Sequence, residues 1–207
     1  MVDDGTATPG AGSSLRSRRK LESMREIQSV AIAQFTERGF DAVTVGDLAS
    51  AVGTSESTLY RYFGTKEGLV TWQEYEPALQ AALLRRLVEQ PPVDAIRDAH
   101  VEALAPAFDV GQLARITFIY GTPQVHAAAV EQSYLQHASL SRSLVGATGE
   151  SALAADVVAG ACLSAVDVAT DHWQQAAGKV PLDELLVDAF DALRIAAPAE
   201  TPPSESR

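Results

Sequence analysis

The chain has one cysteine, Cys162, among 207 residues, so an intrachain disulfide is excluded. Its four histidines (His100, His126, His137, His172) show no HExxH, no CxxC companion and no i, i+4 pairing with one another. No metal site is therefore expected. Gly-x-Ser-x-Gly, a phosphate-cradling Gly-rich loop and a dinucleotide fingerprint are absent as well. We expect no catalytic residues, no cofactor and no enzyme. Long hydrophobic runs are also lacking. The most apolar stretch, Val157 to Val166, contains Ser164 and lies between Asp156 and Asp167, too short and interrupted to cross a bilayer. The polar N-terminus shows no apolar leader. The expectation is a soluble protein in the reducing cytoplasm, with Cys162 serving as a small hydrophobe.

A basic excess is missing too. Net charge is −11, which at first argues against nucleic acid. Its distribution reverses that reading. Residues 1–66 carry eight Lys/Arg against eight Asp/Glu. The other eight basic residues meet nineteen acidic ones in residues 67–207, so the whole excess lies there. An acidic body is repelled by phosphate and leaves the near-neutral N-terminal part to approach it. Hydrophobic content of 46% is ample for a core.

What is present is a pattern over Thr44–Lys66, TVGDLASAVGTSESTLYRYFGTK. Val45, Leu48, Ala49 and Val52 fall at i, i+3, i+4 and i+7, the apolar stripe of a short helix. Thr44 precedes it as an N-cap and Gly53 ends it. Thr54 or Ser55 then caps a second helix running to Phe63. Two short helices joined by a tight turn form a helix-turn-helix, whose second helix enters the major groove of DNA. At about 100° per residue and with Leu59 inward, Ser55 and Phe63 lie within roughly 40° of it, while Ser57 and Arg61 point away. Thr58 and Tyr60 flank them and Glu56 lies nearer the edge. Hydroxyls, a phenol and a guanidinium suit phosphates and base edges.

These residues, with helix 1 over Ser17–Arg38, Gly39-Phe40 and the following Gly64-Thr65-Lys66-Glu67-Gly68-Leu69, resemble the DNA-binding domain of the TetR family of bacterial transcriptional regulators, of actinobacterial type. The resemblance implies DNA contacts at Thr58, Tyr60 and Tyr62, a phosphate grip by Lys66, and another by the hydroxyl and N–H of Thr44. The DNA-binding set is completed by Ser55, Glu56, Ser57, Arg61 and the basic patch Arg18, Arg19 and Lys20, an arm for phosphates or the minor groove or else a solvated tail. Glu56 departs from the family's habit of Lys, Arg, Gln, Gly or Pro there. It could accept from cytosine N4 or point past the groove.

The remainder reads as helices throughout, so the expected fold is all-α with about nine helices. A three-helix DNA-binding domain (15–65) precedes a helical ligand-binding and dimerisation domain (66–197), with disordered tails at 1–14 and 198–207. Helix 4 is expected from near Lys66 to about Glu89, kinked at Pro77, acting as a lever from the reading head. The last two helices carry an apolar surface (Val157, Gly160, Ala161, Ala165, Leu182, Leu185, Leu186, Ala189, Leu193) that the resemblance assigns to a homodimer with a two-fold interface. A mostly apolar effector pocket is expected among Trp72, Tyr75, His100, Phe108, Phe118, Tyr120, Tyr134, Asp171 and Trp173, although any one of these can equally be core. The function expected is a repressor released from palindromic operator DNA by a small hydrophobic molecule. The alternative is a helical ligand-binding protein without sequence-specific DNA binding.

Overall fold

In the computed structural model, residues 11–196 are described, without side-chain detail at 11–15, 17, 110, 195 and 196. Among the described residues ten helices follow one another: α1 Ala11–Arg38, α2 Val45–Ala51, α3 Glu56–Phe63, α4 Gly68–Thr71, α5 Glu76–Arg86, α6 Pro92–Leu104, α7 Val110–Gly121, α8 Pro123–Thr148, α9 Ala152–Gln175 and α10 Leu182–Ala196. No strand occurs among the described residues. The expected tails at 1–10 and 198–207 lie outside them. Residues 11–14, expected in the tail, instead belong to α1, as does the basic patch, which is a helical surface and not a free arm.

The described residues divide into two units, one reaching to Glu74 and including 118–128, the other running from Tyr75 to Thr117 and from Ala129 onward. The first unit therefore extends past the expected boundary at 65 and takes back the corner between α7 and α8. Its core gathers Ile27, Ala31 and Phe35 of α1, Leu48 and Ala49 of α2, Leu59 of α3, Leu69 and Val70 of α4, and Val125 of α8. Phe118 stacks on Phe35 at 5.9 Å between ring centroids, and Phe40 packs on Phe35 at 4.9 Å.

The expected helix 4 is two helices, which raises the count to ten. Helix α4 stops at Thr71, residues 72–75 are not helical, and Pro77 falls in the first turn of α5, so it starts a helix and kinks none. The break is stabilised from outside. The buried Gln28 amide of α1 donates to the carbonyls of Leu69 (3.1 Å), Val70 (3.3 Å) and Trp72 (3.0 Å), the kind of acceptors a helix C-terminus leaves orphaned. Gly68 opens α4 so close to the Phe63 carbonyl that a Cβ would lie 2.0 Å from that oxygen. Only glycine fits there.

In the second unit α9 packs on α10 and α6, with Ala155, Ala159, Cys162, Ala165, Ala169 and Trp173 buried at helical spacing. Burial pushes the Cys162 thiol up to about 11, so it stays protonated as an inert hydrophobe. Arg85 and Arg86 of α5 pair with Glu102 of α6, and Arg194 of α10 pairs with Asp94 of α6. At 24 residues α9 has the length and apolarity of a membrane span. Asp156, Asp167 and Asp171 interrupt it, and one face is already taken by the core.

Candidate nucleic-acid interface

Helix α2 is held by a reciprocal capping box. Thr44 Oγ1 accepts from Asp47 N–H at 3.0 Å, and Thr44 N–H donates to Asp47 Oδ2 at 2.9 Å. These hydrogen bonds, with Arg38 nearby, hold the Asp47 carboxyl below its ordinary range. The turn is closed by Gly53 at φ +66° and by the Thr54 N–H donating to the Ala49 carbonyl at 2.9 Å. Ser55 is the cap of α3: its Oγ accepts from the Thr58 N–H at 3.3 Å and lies 2.9 Å from Ser57 Oγ and 3.0 Å from Thr58 Oγ1.

Leu59 is buried, while Ser55, Glu56, Ser57, Tyr60 and Arg61 are exposed and Thr58 and Tyr62 half-buried. The outward face is thus a cluster of hydroxyls with one guanidinium. Tyr62 is flanked by two cations at 5.3 Å from its ring centroid, Lys20 Nζ and Arg61 Cζ. The α1 basic patch and the end of α3 therefore form one surface, with Arg18 and Arg19 exposed beside Lys20 in sequence.

Lys66 is elsewhere. Its ammonium donates to the Phe40 carbonyl and sits over the rings of Phe40 (4.2 Å) and Phe35 (5.4 Å). In this DNA-free structure the half-buried Lys66 thus has intrachain partners at the position where a phosphate grip is expected. Nothing in residues 64–69 alone signals it; the acceptor is 26 positions away.

Residues 27–71 match the profile of the bacterial regulatory proteins of the tetR family, and residues 90–198, more than half of the chain, match the MftR C-terminal domain. The chain belongs to the TetR family. It is a DNA-binding transcriptional regulator and not an enzyme. It is 28% identical over 187 residues to a protein named as MftR, a regulator of mycofactocin biosynthesis in Mycobacterium tuberculosis, covering 85% of this chain and 91% of that one. An HTH-type transcriptional repressor of the same species is 35% identical over 108 residues, covering 46% of this chain and 56% of that one. Among solved structures, FadR of Thermus thermophilus, a TetR-family repressor crystallised with lauroyl-CoA, superposes with a TM-score of 0.56 at 17% identity, covering 89% of this chain and all of that one. A regulator from Aquifex aeolicus gives 0.52 at 16% identity, covering 84% and 99%. Likenesses of this size establish the fold.

The expected effector residues of this TetR-family regulator are distributed over both units. Trp72 packs edge-on against Phe63, the half-buried Phe118 packs against the core of the first unit, and Tyr120 lies against His126. Tyr134 is 73% exposed on α8. In the second unit Tyr75, Phe108 and Trp173 do meet, with centroids 6.0 and 5.1 Å apart along the series. Arg115, buried, donates from Nε to Gln112 Oε1 at 2.7 Å and hydrogen-bonds Tyr75. Burial lowers the Arg115 pKa and raises that of Tyr75, each opposed by the other. His100 is buried with Nδ1 2.7 Å from the Ile96 carbonyl, and burial lowers its pKa. Asp171 is half-buried. Sequence reasoning missed Arg115 and Gln112, although a lone Arg between Leu113 and Ile116 was a visible signal.

Several residues of the expected dimer set also pack within the chain. Ala165, Leu182 and Leu186 are intrachain core, Leu185, Ala189 and Leu193 pack against it, and Gly160 faces His137 of α8. Gly160, Leu185, Ala189 and Leu193 are half-buried, and Val157 and Ala161 are exposed. The latter two belong to an exposed stripe on α9 running Leu153, Val157, Ala161, Ser164, Val168, the spacing of one helix face. Val187 of α10 is also exposed.

Proposed function

We propose that this regulator is a homodimeric cytoplasmic repressor that holds palindromic operator DNA and leaves it when a small hydrophobic effector binds the C-terminal unit. The observation that carries the DNA part is the outward face of α3, where Ser57, Tyr60 and Arg61 stand free of the core while Leu59 anchors the helix. Within that surface Thr44, Ser55, Ser57, Thr58, Tyr60, Arg61 and Tyr62 carry the DNA contacts, with Arg18, Arg19 and Lys20 adding phosphate attraction. Two such heads, roughly 34 Å apart in a two-fold dimer, would read successive major grooves. The α9 stripe supports that dimer, since its apolar side chains need cover and a two-fold axis lets one patch cover its copy.

The effector reading is supported by the Tyr75–Phe108–Trp173 cluster beside Arg115, an apolar surround with a cation for a polar end group. Fatty acyl thioesters are the class to test, because FadR, which shares the fold, was crystallised with one. Duplexes enriched from a random library by the wild-type protein supply the probe. Specific binding should weaken steeply with salt, and Arg61→Ala should lower the salt slope by about 0.9 for each phosphate that the guanidinium neutralises. An acyl-CoA series should then release the duplex. Failure to enrich any sequence would overturn the regulator reading, and indifference to every chain length would overturn the acyl assignment.

A further inference from the structure

Glu56 is the first residue of α3, where the recognition helix of a helix-turn-helix meets base edges. The side chain is turned instead across the start of α2. An ideal Cβ on Gly46 would come within 2.9 Å of Glu56 Oε1 and 3.6 Å of its Cδ, with Thr44 Oγ1 3.6 Å from the same point. The carboxylate thus occupies the room left by a missing side chain and shares its patch with the Thr44 hydroxyl. In this motif the first helix crosses the DNA backbone, so that patch lies on the path of a phosphate. Among the described residues no salt bridge neutralises Glu56, whereas Asp47 nearby has Arg38 at 3.7 Å.

Resting on the DNA-binding assignment, we propose that Glu56 is an electrostatic restraint, a fixed negative charge that lowers affinity for all DNA, and not a reader of one base. With Lys66 turned inward, Arg61 is the one cationic side chain within α3 itself, so a carboxylate across the turn weighs heavily. The restraint keeps sequence-independent binding weak while contacts from the rest of α3 discriminate. Repulsion between fixed charges acts on every duplex alike and fades with ionic strength.

The test compares wild type, Glu56→Gln and Glu56→Lys on two probes: the duplex enriched by the wild-type protein and a random-sequence duplex of the same length. Glu56→Gln should tighten both by a similar factor, about fivefold per head, the effect of one like-charge contact near 4 Å in water. The gain should shrink between about 50 and about 300 mM salt, and Glu56→Lys should extend it. Weaker binding to the enriched duplex, traced by single-base substitution to one base pair, would overturn the proposal in favour of base reading. Unchanged affinity on both probes would overturn it too. Failure of the wild type to prefer any duplex is a separate result, striking the DNA-binding assignment itself.

Discussion

Replacing Lys66 with alanine separates two roles that share one side chain. The structure gives its ammonium a carbonyl acceptor on Phe40 and two aromatic faces. A hydrogen bond from a charged donor contributes about 1.5 kcal/mol net, and a partly exposed cation–π contact about 0.5 to 1 kcal/mol more. Lys66→Ala should therefore cost about 2 kcal/mol, taken from the loop between α1 and α2. Urea unfolding followed by circular dichroism measures the loss, and fluorescence anisotropy on the enriched duplex, well below the unfolding transition, measures binding. The salt slope of binding should stay at its wild-type value if the ammonium keeps its place on the Phe40 carbonyl when DNA is bound. A variant of unchanged stability whose slope falls by about 0.9 would refute the inward assignment and restore Lys66 to the phosphate.

Further outcomes follow from other sites. Thr44→Ala breaks the capping box of α2 and should cost about 1 kcal/mol in urea unfolding, with Thr44→Ser retaining most of it. Burial holds the folded His100 pKa below the unfolded value of about 6.5, so the unfolded chain binds more protons in acid. Its contribution is complete above that value and is lost as pH falls towards the folded one, so wild type should lose more stability than His100→Gln between about pH 7.5 and about pH 5.5. Val157→Glu with Val168→Glu places charges on the α9 stripe; sedimentation should find the wild type near twice 21.9 kDa and the variant near that mass. A wild-type monomer would remove the stripe's assigned role.

Sequence pattern suffices where local forces decide. The cap at Thr44, the positive φ at Gly53 and the inward Leu59 are set by neighbours within one turn and are readable in the sequence, which also narrows the cap of α3 to Thr54 or Ser55. The break after Thr71 is not, since the run from Leu69 to Leu83 keeps a helical period. It depends on the amide of Gln28, more than forty positions back, meeting carbonyls that a continuous helix would have used itself. The inward turn of Lys66 escapes for the same reason, its acceptor being distant in sequence. Counting apolar residues also does not separate core from surface on the last two helices. On α9 both sides are apolar, and only packing tells Ala165, turned inward, from Val157, turned out. Glu56 stands out as the wrong charge for its place, but its direction needs coordinates.

Phe118 and Val125, well over a hundred positions into the chain, help complete the core on which the reading head is built. That head is consequently no portable cassette. A fragment ending at Glu74 would strip Phe35 and Phe40 of the Phe118 ring and expose an apolar seam, so grafting this specificity onto another regulator would require the 118–128 corner to travel with it.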